Sequence, residues 1–332
     1  MKIEIIFTKR KYEKQNFWDL VYEWEDVLSQ CLNIKIKNEP KVFDKILKGI
    51  PYLYYSQTKH HYSLCFQMGA EIVPSKIQWL QRVMGLRAKN TSRVIPCIID
   101  FWQPENEIPM FNKAYCNNPI VLISSMEAYS FLKHHGCKAN IVHWALSLPD
   151  KYAITANTNF KKHYDLAMMG RQNALLEEFL KKYIETHPDF TYAYKKIENG
   201  HFNYYTNKGD YIGNADTREG YFNIMRGARC GLYATPGLDG KPGSNGYNQV
   251  TPRFLELLSS GCHILARYPD NEDTRFFGIS RFSPSLDNYE DFEKALDRGR
   301  KIPVDMNVYS EYLSLHYTSV RAKELEQIIN KK

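Results

Sequence analysis

The sequence predicts an α/β protein made of two successive doubly wound, mostly parallel sheets, and three observations carry that reading. Short apolar runs that stop at polar residues alternate with amphipathic stretches along most of the chain. At 332 residues the chain exceeds what one ordinary core organises, so two domains are expected. A polar stretch rich in Thr and Asn, Ala153 to His163, interrupts the alternation, which then restarts. The expected division is a first domain over residues 1–152, a linker over 153–163, a second domain over 164–305, and closing helices over 306–332 that cross back to the first domain.

In order, residues 2–8 read as a strand and Phe17–Leu32 as an amphipathic helix carrying Trp18, Val21, Trp24 and Leu28. A short strand follows at Asn33–Lys37. Pro51–Ser56 reads as another strand, which would deliver Gln57–His61 just past its end, and Ile77–Leu86 reads as a helix. The unbroken apolar run Ile95–Ile99 is typical of a parallel strand buried on both faces, and Asp100 closes it. Pro119–Ser125, the helix Met126–His135 before Gly136, and Asn140–Leu148 continue the pattern. In the second half Tyr164–Gly170 is a strand, Ala174–Glu185 a helix and Phe190–Tyr194 a strand. Asn203–Asp216 reads as a polar aromatic loop, Glu219–Arg226 as a helix, and Gly231–Ala234 and His263–Arg267 as strands. Asp287–Arg298 and one or two helices within Met306–Asn330 complete the chain.

Apolar residues make up 43% of the chain, which argues for a globular protein and against disorder. Net charge is +7, mild and scattered. It suits an anionic small ligand, leaves peripheral contact with an anionic membrane surface open, and argues against a nucleic-acid partner. Seven widely spaced cysteines without a Cys-x-x-Cys pair fit reduced thiols in a cytoplasmic compartment and no zinc site. The opening Met1–Phe7 reads as a strand and not as a signal segment, and no apolar run is long enough to span a bilayer. The 24 tyrosines suit a ring-stacking substrate such as a sugar, or simply core packing.

The most informative stretch is Gly243–Gly261, a glycine-rich loop running into a short helix. Thr251 suits the cap position and Pro252 the first helical position. Phe254, Leu257 and Leu258 share one face, Arg253 and Glu256 another at i, i+3 spacing, and Gly261 suits a left-handed end. A cation and a carboxylate gathered at a glycine loop suit a ligand with both a phosphate and hydroxyls, although the pattern also fits a solvated Arg–Glu pair. Gly170 and Arg171 end a strand and offer a guanidinium suited to a diphosphate. In the first half His60, His61 and Asp100 are the candidates for hydrogen-bonding or general-base work. His143, inside a strand, reads as a core histidine. There is no nucleophile elbow, no Walker loop, no Gly-x-Gly-x-x-Gly after the first strand, and no carboxylate spacing typical of a metal site.

With two such halves, and with Asp165–Arg171 and Gly231–Ala266 as they stand, the chain resembles the GT-B glycosyltransferases, most of all the retaining bacterial "glycosyl transferases group 1" type. The resemblance implies two Rossmann-like domains facing a cleft, with the nucleotide-sugar donor held by the second and the acceptor by the first. It implies that Gly170, Arg171, the loop around Gly246 and the helix start at Thr251–Arg253 meet the diphosphate. Glu256 matches the glutamate that grips the nucleotide ribose. Two positions depart from the pattern. Asn248 stands where many relatives have a first glutamate, and Asn173–Leu176 stand where they often have a lysine. The implied activity is sugar transfer from a nucleotide sugar to a hydroxyl of a glycan or lipid-linked glycan, with no cofactor and no metal. A sugar-nucleotide epimerase, and a non-catalytic glycan-binding protein on a degenerate transferase fold, are the other readings.

Overall fold

The computed structural model describes residues 1–38, 61–72, 92–239 and 243–331. The expected elements at Pro51–Ser56 and Ile77–Leu86, together with His60, lie outside them. The chain divides into two compact units, Met1–Pro149 with Thr318–Lys332, and Asp150–Tyr317.

The first unit is built on a six-stranded parallel sheet: β1 (Lys2–Thr8), β2 (Lys35–Asn38), β3 (His61–Gly69), β4 (Val94–Asp100), β5 (Val121–Ile123) and β6 (Ile141–His143), in the order β2-β1-β3-β4-β5-β6. β4 is the strand buried on both faces, with Ile95, Cys97 and Ile98 wholly inside. Helix α1 (Asn16–Leu32) places Trp18, Val21, Trp24 and Leu28 in the core and stops at Asn33, a left-handed residue with φ 51°. Helices α2 (Ile108–Tyr115) and α3 (Met126–His134) follow β4 and β5, and Ser125 caps α3 by accepting from the Ala128 amide at 3.2 Å.

The second unit is also a six-stranded sheet, but only partly parallel. Its strands are β7 (Tyr164–Ala167), β8 (Tyr192–Glu198), β9 (His201–Thr206), β10 (Tyr211–Asn214), β11 (Ala228–Ala234) and β12 (His263–Arg267), in the order β10-β9-β8-β7-β11-β12. β8, β9 and β10 form an antiparallel meander where the sequence reading expects a loop at Asn203–Asp216. Its turn is Asn199-Gly200, with φ 52° and 81°, a two-residue pair that suits a tight hairpin and is legible in the sequence. Helices α4 (Ala174–Thr186), α5 (Arg218–Arg226), α6 (Arg253–Ser259), α7 (Glu272–Phe277), α8 (Tyr289–Lys301) and α9 (Met306–Leu313) surround the sheet. α4 and α8 share a core with Cys230 and Leu232 of β11. Gly231 turns to the opposite face, where a Cβ would stand 2.3 Å from Leu257 of α6, so glycine lets that helix lie against the strand.

Two expectations about domain limits change. The stretch 153–163, mostly exposed, groups with the second unit, and the chain passes between units at Pro149–Asp150. Tyr152 stacks on Phe222 at 3.7 Å, the Ile154 amide donates to the Tyr317 hydroxyl, and Lys162 donates to the Ser260 carbonyl. Of the closing helices, only α10 (Thr318–Asn330) joins the first unit, where Leu325 and Ile329 enter the core beside α1 and the Trp144 indole donates to the Arg321 carbonyl. α9 stays with the second unit, because Tyr309 and Tyr312 donate to the carbonyls of Cys262 and Phe277.

Candidate functional site

Open α/β sheets receive ligands outside the carboxyl ends of their strands, where the strand order reverses. In the second unit that point lies between β7 and β11. Gly170 and Arg171 leave β7 there, and the loop after β11 leads into α6, so the fold brings Gly170, Arg171, Asn248, Thr251, Arg253 and Glu256 to one edge.

Gly170 and Arg253 fit each other. Gly170 has φ 65°, and a Cβ on it would stand 2.0 Å from Nη2 of Arg253. A side chain there is thus disfavoured twice, by the left-handed backbone and by the guanidinium beneath it. Arg253 Nη1 donates to the Arg171 carbonyl at 2.8 Å, which ties the turn after β7 to the start of α6. Its Nε–H is buried and has no partner among the described residues. Arg171 is exposed at the surface of the turn.

Glu256, one helical turn on, is buried at 3% exposure. Its carboxylate accepts from Arg218 at 2.7 Å and from the Tyr221 hydroxyl at 3.1 Å. Burial, reinforced by the Glu256 charge, pushes the Tyr221 phenol up. Arg218 is presented by α5, whose N-cap Thr217 accepts from the Gly220 amide, and its guanidinium rests over the rings of Tyr152, Tyr221 and Phe222. Arg218 and Tyr221 belong to this site and were not among the residues singled out from sequence. The helical face of Glu219–Arg226 gave no hint that its first turn meets Glu256, thirty-eight residues on from Arg218.

The loop before α6 is held by side chains. Asn248 accepts from the Thr235 hydroxyl at 2.8 Å and donates to the Gly246 carbonyl at 2.7 Å. Buried Asp273 accepts from the Val250 amide, and the Thr251 amide donates to the Tyr233 hydroxyl. Gly246 has φ 79°. Pro252 has helical angles and its carbonyl accepts from the Glu256 amide, while Gly261 has φ 63° beyond the helix end. Asn173 is buried at 3% exposure, and its side chain caps α4 by accepting from the Leu176 amide at 3.2 Å.

The first-unit candidates do not come together. Asp100 ends β4 and pairs in register with Gly69. His61 begins β3 opposite Lys2, at the amino edge, because the half-polar stretch it opens is itself the strand. The two are separated by the length of β3, about 26 Å at ~3.3 Å per residue, so they cannot act on one group. The order of this sheet reverses between β1 and β3, and there Arg10 bonds Glu25 and Asp26 while Lys9 lies 3.9 Å from Glu71. Ser124 donates to the Ile99 carbonyl inside the core, and burial pushes the His143 imidazole down to about 4. No cluster of His, Cys, Asp and Glu that could hold a metal occurs among the described residues, none of the seven cysteines is in a disulfide, and no described helix is long and apolar enough to cross a membrane.

No protein-family model and no curated protein matches the sequence. Solved structures do match the fold. A sucrose-phosphate synthase from Thermosynechococcus elongatus aligns over 100% of this chain and 99% of its own, with TM-score 0.58 and 8% identity. AviGT4, a glycosyltransferase involved in avilamycin A biosynthesis, aligns over 100% and 98% with TM-score 0.56 and 9% identity. An α,α-trehalose-phosphate synthase (UDP-forming) from Burkholderia xenovorans aligns over 96% and 84% with TM-score 0.50 and 9% identity. At such identities the likeness is one of fold, and the chain has the two-domain α/β fold of the GT-B glycosyltransferases.

Proposed function

We propose that the chain is a glycosyltransferase that moves a sugar from a nucleotide-sugar donor to a hydroxyl of a glycan or lipid-linked glycan. The reading rests above all on Arg253, lodged against side-chain-free Gly170 at the reversal point of the second sheet with Glu256 one turn away. At this edge Arg218 pairs with Glu256, and Arg253 bonds the carbonyl of exposed Arg171. Guanidiniums so placed suit a diphosphate and the charge that develops on it as the glycosidic bond to the donor breaks. Glu256 uses two of its roughly four acceptor positions on Arg218 and Tyr221. The others suit the vicinal hydroxyls of a ribose. On this reading the first unit takes the acceptor, with Asp100 at the carboxyl edge of β4 as its candidate base, and no metal is required. Retention at the anomeric carbon is carried by the resemblance alone, as are a cytoplasmic setting and a place in polysaccharide assembly.

Calorimetric titration of the full chain with UDP and GDP tests the donor site. UDP comes first because one structural neighbour is named as UDP-forming. Arg253→Ala and Glu256→Ala should each weaken binding by about tenfold or more, equivalent to ~1.4 kcal/mol. Wild-type affinity in both variants removes the site assignment. One observation favours a second reading, a glycan-binding protein without transfer activity: Glu256 is already engaged by two donors. Binding of an oligosaccharide with no binding of any nucleotide would establish it.

A further inference from the structure

A cavity of about 280 Å³ lies in the same unit at the opposite edge of the sheet. It opens where β12 begins at His263, past the end of α6 at Gly261, and where Arg229 enters β11. α6 is about 10 Å long at ~1.5 Å per residue, so this cavity and the Arg253 edge lie at the two ends of one short helix.

The walls divide by chemistry. Phe160, Ile302 and Met306 supply apolar surface, while Lys162, Arg229 and His263 supply positive charge or hydrogen-bond donors. No carboxylate lines the cavity, and among the described residues none pairs with any of these three. Lys162 spends one of its three N–H groups on the Ser260 carbonyl at 2.9 Å, and His263 donates Nε2–H to the Ile302 carbonyl at 2.6 Å. Behind Phe160 the Arg226 guanidinium lies 5.0 Å from the ring, its buried Nε–H without a partner among the described residues. Burial, with Arg229 close by, holds the Lys162 ammonium below its ordinary range. His263 is lowered by burial together with Arg298 and Lys162. Cations gathered in a partly apolar recess without a counter-charge are costly, and a bound anion offsets that cost.

We propose that this cavity binds a small organic phosphate monoester. The phosphate would meet Lys162 and Arg229, and the organic part would pack against Phe160, Ile302 and Met306. Two neighbouring cations match a dianion better than they match a carboxylate, which leaves one of them uncompensated. The proposal stands apart from the nucleotide site, since it uses none of its residues.

Phenyl phosphate, benzoate and phenol serve as probes, titrated calorimetrically into the full chain. Phenyl phosphate should bind at one site per chain, benzoate about tenfold or more weaker, and phenol not measurably. Arg229→Gln and Lys162→Gln should each weaken phenyl phosphate about tenfold or more, Arg229→Lys should restore much of the loss, and Arg253→Gln should leave it unchanged. Thermal unfolding of each variant, monitored by circular dichroism, separates lost binding from lost folding. The proposal is overturned by absent saturation in the folded wild type or by benzoate binding as tightly as phenyl phosphate. It is equally overturned if Arg253→Gln abolishes binding while Arg229→Gln preserves it.

Discussion

At the carboxyl edge of the first sheet Arg10 bridges Glu25 and Asp26 and Lys9 faces Glu71, whereas at the same edge of the second sheet Arg218 bonds Glu256 and Arg253 bonds the Arg171 carbonyl. Both edges sit where strand order reverses, so the scaffold is the same and the electrostatics differ. Among the described residues the first edge sets three carboxylates against two cations. The second sets Arg218 against Glu256, with Arg253 on a backbone carbonyl. The cations of the first edge face carboxylates, whereas Arg253 at the second meets no carboxylate among the described residues. Only the second also has a glycine whose missing side chain admits an arginine.

The largest contrast should come from removing one buried carboxylate at each edge. Glu256→Gln takes from Arg218, at 14% side-chain exposure, the carboxylate it meets at 2.7 Å. The cost should be about 2–3 kcal/mol near neutral pH in urea denaturation. Glu25→Gln leaves Arg10 its bond to Asp26 at 2.7 Å and should cost less than about 1 kcal/mol. Equal costs would mean that the two edges are built alike. Glycines give the next contrast. Gly170→Ala meets both a φ of 65° and the Arg253 guanidinium, so about 1–2 kcal/mol of stability and most of the nucleotide affinity should go together. Gly69→Ala, whose Cβ would stand 3.6 Å from the Asp100 carbonyl in extended strand, should cost no more than about 1 kcal/mol and leave nucleotide titrations untouched.

The sequence exposed the second edge better than the first for a physical reason. Gly170-Arg171 and Arg253–Glu256 are local: a strand end, a glycine and an i, i+3 pair are written in consecutive residues. Most parallel strands of the two sheets were legible for the same reason, as in the apolar run of β4, whereas the β9–β10 part of the meander read as a loop. What was hidden depends on pairing across distance. Arg218 reaches Glu256 only because α5 and α6 pack beside the same sheet. His61 reads in sequence as following a strand, whereas the half-polar stretch His61–Gly69 is itself the strand and forms a central element of the sheet. Asn173 and Asn248 read as departures at ligand positions. Their amides serve as a helix cap and a loop staple, roles that no spacing in the sequence reveals.

A pH series probes the first edge directly. Burial pushes the Glu25 carboxyl up to about 7, over the opposing pull of Thr8 and Arg10. A carboxyl whose folded value exceeds its unfolded value keeps a proton in the folded state that the unfolded chain has lost. Stability therefore falls as pH rises from about 4.5 to about 7. His143, pushed down to about 4, acts with the opposite sign: its folded state refuses a proton that the unfolded chain binds, so stability rises from about 4 to about 6.5. The wild-type profile is the sum of both, and the difference between wild type and Glu25→Gln isolates the first. That difference should move in the variant's favour by about 1–2 kcal/mol between about pH 5 and about pH 8. A difference that stays flat would mean that Arg10 holds Glu25 ionised throughout.

The smallest expected effect separates charge from hydrogen bonding at the second edge. Asn248 joins the Thr235 hydroxyl to the Gly246 carbonyl through neutral bonds of 2.8 and 2.7 Å, and Gly237, whose Cβ would stand 2.5 Å from its Nδ2, leaves room for it. Asn248→Ala strands both partners and should cost about 1 kcal/mol. Because both of these bonds are neutral, that cost should be the same at low salt and at about 1 M, where the Debye length shrinks to ~3 Å. The exposed part of the Arg10 network should weaken over the same range. A salt-dependent cost at Asn248 would instead couple the loop to the neighbouring guanidiniums, and the ligand edge would then respond as one electrostatic unit.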